Sequence, residues 1–216
     1  MKSNLALLFS LLLLGCAQPQ TRTDPEGLRL WGPEHFLDGY PARGRGDTIH
    51  VVVEIPAGTN DKWEVDKSDG SLAWEIKNGK PRVVQYLPYP ANYGMVPRTL
   101  LPKELGGDGD PLDVLLLGPA TDRGALVEAR LVGVLRLLDG GEQDDKLIAI
   151  SVDAPLGQVA TMAALEAEYA GIITILETWM SNYKGPGELR SLGFGEVDEA
   201  RKILDAAAAA YEQARR

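Results

Sequence analysis

The feature that most constrains the fold is a change of hydrophobic period part-way along the chain. Up to about Val152 the apolar residues come in short, β-branched runs punctuated by Gly, Pro and Asp; beyond it they recur at helical spacing. Thr48–Ile55 (TIHVVVEI) stops at Pro56 and reads as a strand. Residues 62–66 (KWEVD) and 72–76 (LAWEI) alternate apolar and charged side chains around the turn-like KSDGS, which predicts a hairpin. Asp113–Leu117 reads as a buried strand. Residues 125–138 and 146–152 are two more, joined by the acidic, glycine-containing DGGEQDD. Then Met162, Leu165, Tyr169, Ile172, Ile173, Leu176, Trp179 and Met180 fit one helical face, and a second helix is expected over Val197–Ala214, with an alanine run at 206–210. Strands followed by helices predict an α+β fold: a small closed β-barrel with two flanking α-helices. A chain of 216 residues suffices for one such domain and not clearly for two.

Charge and rare residues narrow the chemistry. A formal net charge of -9 argues against general nucleic-acid binding, which leans on basic surface. The single cysteine, Cys16, leaves no intrachain disulfide. Together with only two histidines, His35 and His50, it leaves no Cys/His zinc site of the usual kind. A bound metal would therefore be held by oxygen, which points to Mg²⁺, Mn²⁺ or Ca²⁺.

The first residues read as an address rather than as fold. Lys2 precedes an apolar stretch over 5–14, too short to span a bilayer comfortably and typical of a secretory signal. It ends in Leu13-Leu14-Gly15-Cys16, which resembles a bacterial lipoprotein box. That resemblance implies a signal peptide over 1–15, lipidation of Cys16, and a membrane-anchored lipoprotein on the periplasmic or cell-surface side. The polar residues up to 27, with Pro19 and Pro25, are expected to form a flexible tether, leaving 28–216 as a single domain.

The sharpest local feature is 106–113, GGDGDPLD, where Asp108, Asp110 and Asp113 crowd the mouth of an apolar strand. By residue type alone this is an acidic surface turn. The spacing fails for an EF-hand loop, and neither G-x-x-x-x-G-K-[ST] nor G-x-S-x-G occurs. A second acidic turn changes the balance: Asp139, Asp144 and Asp145 lie between the two later strands, beside Lys146. If both turns share one barrel end, four or five carboxylates converge, and divalent cations there could clamp a phosphate and activate a water. Asp145 is expected to be solvated.

In their order and spacing these residues resemble the soluble inorganic pyrophosphatases of family I. Asp108-Gly109-Asp110-Pro111-Leu112-Asp113-Val114 is similar to that family's D-x-D-P-x-D-V. Val53-Glu54-Ile55-Pro56, Lys62-Trp63-Glu64-Val65-Asp66-Lys67 and Tyr89-Pro90-Ala91-Asn92-Tyr93-Gly94 match further motifs. So do the D-x4-D-x-K spacing of Asp139, Asp144 and Lys146, and Tyr183-Lys184. The resemblance implies an OB-like, five-stranded closed barrel with additional strands. It implies Mg²⁺-dependent hydrolysis of inorganic diphosphate by a metal-activated water, with Asp110 as general base. Asp108, Asp113, Asp139 and Asp144 would hold metal and Glu54 an outer ion. Lys62, Arg82, Tyr93, Lys146, Tyr183 and Lys184 would bind phosphate, and Glu64 would stand behind them. A homo-oligomer is the family expectation. A non-catalytic phosphate- or metal-binding lipoprotein of the same fold, or a hydrolase of organic diphosphates, stays open at this point.

Overall fold

The computed structural model describes residues 21–102, 107 and 109–216. Cys16, the signal segment and Asp108 lie outside these residues. The strands are β1 (Arg22–Thr23), β2 (Arg29–Trp31), β3 (Thr48–Ile55), β4 (Trp63–Val65), β5 (Leu72–Trp74), β6 (Ile76–Lys77), β7 (Lys80–Pro81), β8 (Asn92–Met95), β9 (Asp113–Leu117), β10 (Leu126–Asp139), β11 (Glu142–Gln143), β12 (Lys146–Ser151) and β13 (Leu189–Glu196). The helices are α1 (Met162–Glu168), α2 (Ile172–Asn182) and α3 (Val197–Ala214).

Strands pair in the order β10-β12-β9-β8-β3, and β3 pairs back onto β10, which closes a five-stranded barrel as expected. The long β10 makes closure feasible: its first half pairs with β3 and β12, its second with β12 and β13, across two register shifts. Such bulges bend a strand and increase its twist. The β8–β3 contact is close. A Cβ on Gly94 would stand 2.0 Å from the Val52 carbonyl oxygen, so only glycine fits there.

The central strands read as continuous apolar runs because both faces are covered. Leu115, Leu117, Ile148 and Ile150 pack beneath α1 and α2. Their neighbours Val114, Leu116, Leu147 and Ala149 pack with Ala200, Leu204 and Ala207 of α3. Each fully buried Leu or Ile contributes roughly 1.5–3 kcal/mol relative to exposure, so alternate residues of one strand tie it to both layers. The alanines bring α3 close to the barrel.

Two expectations from the sequence are revised by the structure, and a third is met and extended. The expected first helix is two: Gly171, at φ +92°, breaks the run, leaving Tyr169 exposed and α1 capped by the Thr161 side chain. Among the described residues there are therefore three helices rather than two flanking ones. The expected tether is partly built in, since Arg22–Thr23 pairs with Leu30 and Trp31 at the edge of a second sheet, β1-β2-β5-β4. The 62–76 hairpin forms as β4 and β5, with Trp63 stacked on Trp74 at 5.5 Å between ring centroids. It continues into a further hairpin, β6–β7, around Asn78-Gly79.

Candidate active site

One register places the acidic cluster. β9 and β12 run parallel with Asp113 level with Lys146. The buried Lys146 ammonium donates to Asp113 Oδ2 at 2.6 Å and also to Asp144. Burial opposes its charge, but those two carboxylates outweigh burial and hold Lys146 well above the ordinary lysine range. Burial pushes Asp113 up, yet Lys146 and Lys62 bring it below the usual carboxylate value. Asp144 stays raised, because burial and the charge of Asp113 together exceed the relief from Lys146.

Lys184, just past the end of α2, pairs with Asp139 at the end of β10. Tyr183 beside it stacks on Trp179 at 4.7 Å, which fixes its ring, and burial raises its hydroxyl. Asp110 sits in the turn before β9 and accepts from Lys67, whose ammonium also donates to the Gly109 carbonyl at 3.0 Å.

A second wall carries the cations. Lys62 is buried, pairs with Glu64 at 2.7 Å and lies 5.1 Å from the Tyr93 ring centroid. Burial works against its charge, but Glu64 leads the groups that raise it well above the lysine norm. Arg82 is held by Glu75 at 2.6 Å, and its carbonyl accepts from Lys62 N–H and from Trp74 Nε1. Tyr93 is buried and its hydroxyl pushed far up by burial.

These walls enclose one cleft of about 230 Å³. It is lined by Lys62, Glu64, Val65, Arg82, Tyr93, Asp110, Pro111, Asp113, Asp139, Asp144, Lys146, Tyr183 and Lys184. The structure thus brings together every described site residue expected from sequence except Glu54, which lies beneath the cleft. Glu54 occupies a register shift of β3 between Val53 and Ile55, accepts from Val65 N–H at 2.8 Å, and is pushed well up by burial and by Asp113.

Asp145 departs from expectation. It is buried and accepts from Leu137 N–H at 3.1 Å and from Gln143 at 2.6 Å, so it braces the β10–β12 turn instead of meeting solvent. Sequence reading also missed two supports. Glu75 holds Arg82. Arg123 packs on Trp63 at 4.2 Å and donates to the Glu54 carbonyl at 2.9 Å. The Asn78-Gly79 pair was a legible hairpin signal that would have set Glu75 opposite Arg82; nothing local marks Arg123.

Among the described residues no three carboxylates form a ready-made metal cage; Lys146 pairs with Asp113 and Asp144, and Lys184 with Asp139. The donor set nonetheless suits a hard divalent ion. It is all oxygen, and Glu54 and Asp144 are both raised, first by burial and then by the neighbouring charge of Asp113, which a bound cation would offset.

The family model described as "Pyrophosphatase: Inorganic pyrophosphatase" matches residues 51–212. The chain is 35% identical over 171 residues to an inorganic pyrophosphatase of Helicobacter pylori, covering 77% of this chain and 92% of that protein. It is 32% identical over 183 residues to one of Ralstonia nicotianae, covering 82% and 99%. The solved inorganic pyrophosphatase of Schistosoma japonicum superposes with a TM-score of 0.77 at 26% identity, covering 83% of this chain and 71% of that one.

Proposed function

The chain belongs to the inorganic pyrophosphatase family, and on that premise we propose a residue-level account of how its cleft hydrolyses inorganic diphosphate to two phosphates. The observation that carries it is the facing of two walls, carboxylates with Lys146 and Lys184 on one side and Lys62, Arg82 and Tyr93 on the other. Diphosphate is small, dense in charge and otherwise featureless, so charge-assisted donors dominate its recognition. Lys62, Arg82, Lys146 and Lys184 donate to its oxygens, and the Tyr93 and Tyr183 hydroxyls, kept protonated by burial, add neutral donors.

Asp113, Asp139 and Asp144, with Asp108 and the deeper Glu54, would hold divalent cations, Mg²⁺ in this reading. When bound, these supply charge neutralisation and lower the pKa of coordinated water. Asp110 accepts the proton of the attacking water, while Lys67 orients its carboxylate. The water oxygen bonds to one phosphorus, the bridging P–O bond breaks, and the departing phosphate keeps that electron pair. The lysine and arginine side chains of the cleft, Lys62, Arg82, Lys146 and Lys184, stabilise the departing charge.

Purified protein is expected to release two phosphates per diphosphate with Mg²⁺, to stop on chelation and to recover on readdition. A folded protein silent under all three conditions contradicts the reading. The Leu13-Leu14-Gly15-Cys16 sequence supports export and lipid anchoring through Cys16. Incorporation of labelled palmitate in a bacterial host, lost in Cys16→Ala, is the expected result; equal labelling of both forms contradicts it.

A further inference from the structure

The connection between β10 and β12 holds a carboxylate that the proposed reaction leaves unused. Pairing on either side of it keeps one register: Leu135 lies opposite Lys146, and Leu138 opposite Gln143. Between these rungs the ladder opens. Asp144 N–H donates to the Leu137 carbonyl at 2.9 Å, but Leu137 N–H donates back to a side chain, Asp145 Oδ1 at 3.1 Å, instead of to a backbone oxygen. The second carboxylate oxygen, Oδ2, accepts from Gln143 Nε2 at 2.6 Å.

Successive side chains of an extended segment point to opposite faces. Asp144 and Lys146 accordingly line the cleft, while Gln143 and Asp145 lie behind it and line a separate cavity beside α3. Asp145 is only 6% exposed, and the adjacent Lys146 turns to Asp113 and Asp144 instead of to it. A buried carboxylate is costly, and here it also adds like charge next to Asp144. Its contribution is geometric. Among the described residues the Asp144 side chain hydrogen-bonds only Lys146, so the backbone beneath it must be held from the other face.

We propose that Asp145 is a positioning residue for the acidic wall. By clamping Leu137 N–H and Gln143 it keeps Asp144 turned into the cleft, at a fixed distance from Asp139, which lies two residues beyond Leu137 on β10. The proposal rests on the diphosphatase reading, in which Asp139 and Asp144 would hold a divalent ion, and adds to it a residue that lines no part of the cleft.

The test is Mg²⁺ binding to the purified protein, measured by titration calorimetry without substrate, alongside Mg²⁺-dependent diphosphate hydrolysis and thermal unfolding. Partners standing behind metal-holding side chains typically change metal affinity by about 10–100-fold. Asp145→Ala should therefore weaken Mg²⁺ binding at least about tenfold and raise the Mg²⁺ needed for half-maximal hydrolysis by the same factor. Asp145→Asn removes the charge but keeps an oxygen for Leu137 N–H, and the Gln143 amide can turn its own oxygen to the new NH₂. It should bind Mg²⁺ within about twofold of wild type. Gln143→Ala removes the outer half of the clamp and orphans no buried backbone group, so a loss of about threefold is expected with an unchanged unfolding midpoint. That variant decides the matter if Asp145→Ala does not fold: wild-type Mg²⁺ affinity in it overturns the clamp. Equal losses in the Asn and Ala forms would make charge responsible instead of position. Unchanged Mg²⁺ affinity in a destabilised Asp145→Ala would make the residue merely structural. Either result overturns the proposal. A wild type that binds Mg²⁺ but hydrolyses no diphosphate strikes the diphosphatase reading instead, while the calorimetric comparison still judges the clamp.

Discussion

The two walls of the cleft are built differently. The acidic wall belongs to the barrel: Asp113, Asp144 and Lys146 sit on or beside the parallel pair β9–β12, whose alternate residues are buried in two cores. The cationic wall belongs to appended structure. Lys62 and Arg82 hang from the small β4–β5 sheet and the exposed β6–β7 hairpin, held by ion pairs to Glu64 and Glu75. Asp113, Asp144 and Lys146 are thus tied to the buried barrel, whereas Lys62 and Arg82 are carried by structure added to it, with Asp110 in the turn before β9 and Tyr93 on barrel strand β8. Damage to the first wall should cost stability and turnover together; damage to the second should cost substrate affinity.

Lys146→Ala is the harshest test of that division. It strips the buried counter-charge from Asp113 and Asp144, and breaking a buried ion pair from one side costs about 3–5 kcal/mol. Urea unfolding should show that loss and diphosphate turnover should vanish; an unchanged midpoint would mean the wall is not held by its charges. Glu75→Gln probes the other wall. Arg82 loses its clamp but the fold keeps its core, so KM should rise about tenfold with kcat within about threefold, and stability should move by less than about 1 kcal/mol. A kcat collapse with unchanged KM would put Arg82 in the chemical step instead.

The smallest effect is in the pH dependence of the small sheet. Asp66, in the β4–β5 turn, is held at about 2 by its hydrogen bonds to Ser68 and by Arg29. Because the folded value lies below the unfolded one, its contribution is complete above about 4 and fades as pH falls toward 2. Wild type should therefore lose more stability than Asp66→Asn between pH 5 and 2.5. Parallel losses would show that the turn adds nothing.

Much of this was legible in sequence where local pattern and burial agreed. Asp113–Leu117 and Val197–Ala214 emerge with the expected bounds, because an apolar run after Asp113 and an alanine-rich amphipathic repeat leave little choice. The helix break at Gly171 was not read, since Ile172 and Ile173 kept the apolar repeat in phase across it. Asp145 looked like its neighbour Asp144, and only the β10–β12 register turns it inward to Leu137. Arg123 and Glu75 act through partners far off in sequence or across an unread hairpin, so their roles exist only once the strands are assembled.

The central claim is that the carboxylate at Asp110 takes the proton of the water that splits diphosphate. Asp110→Asn keeps the shape and removes the basicity, so the direct measurement is steady-state phosphate release from diphosphate in saturating Mg²⁺ by both forms, at matched thermal unfolding midpoints. The account predicts a fall in kcat on the order of 10²–10⁴ with KM little changed. An Asp110→Asn protein that turns over within a fewfold of wild type would contradict it.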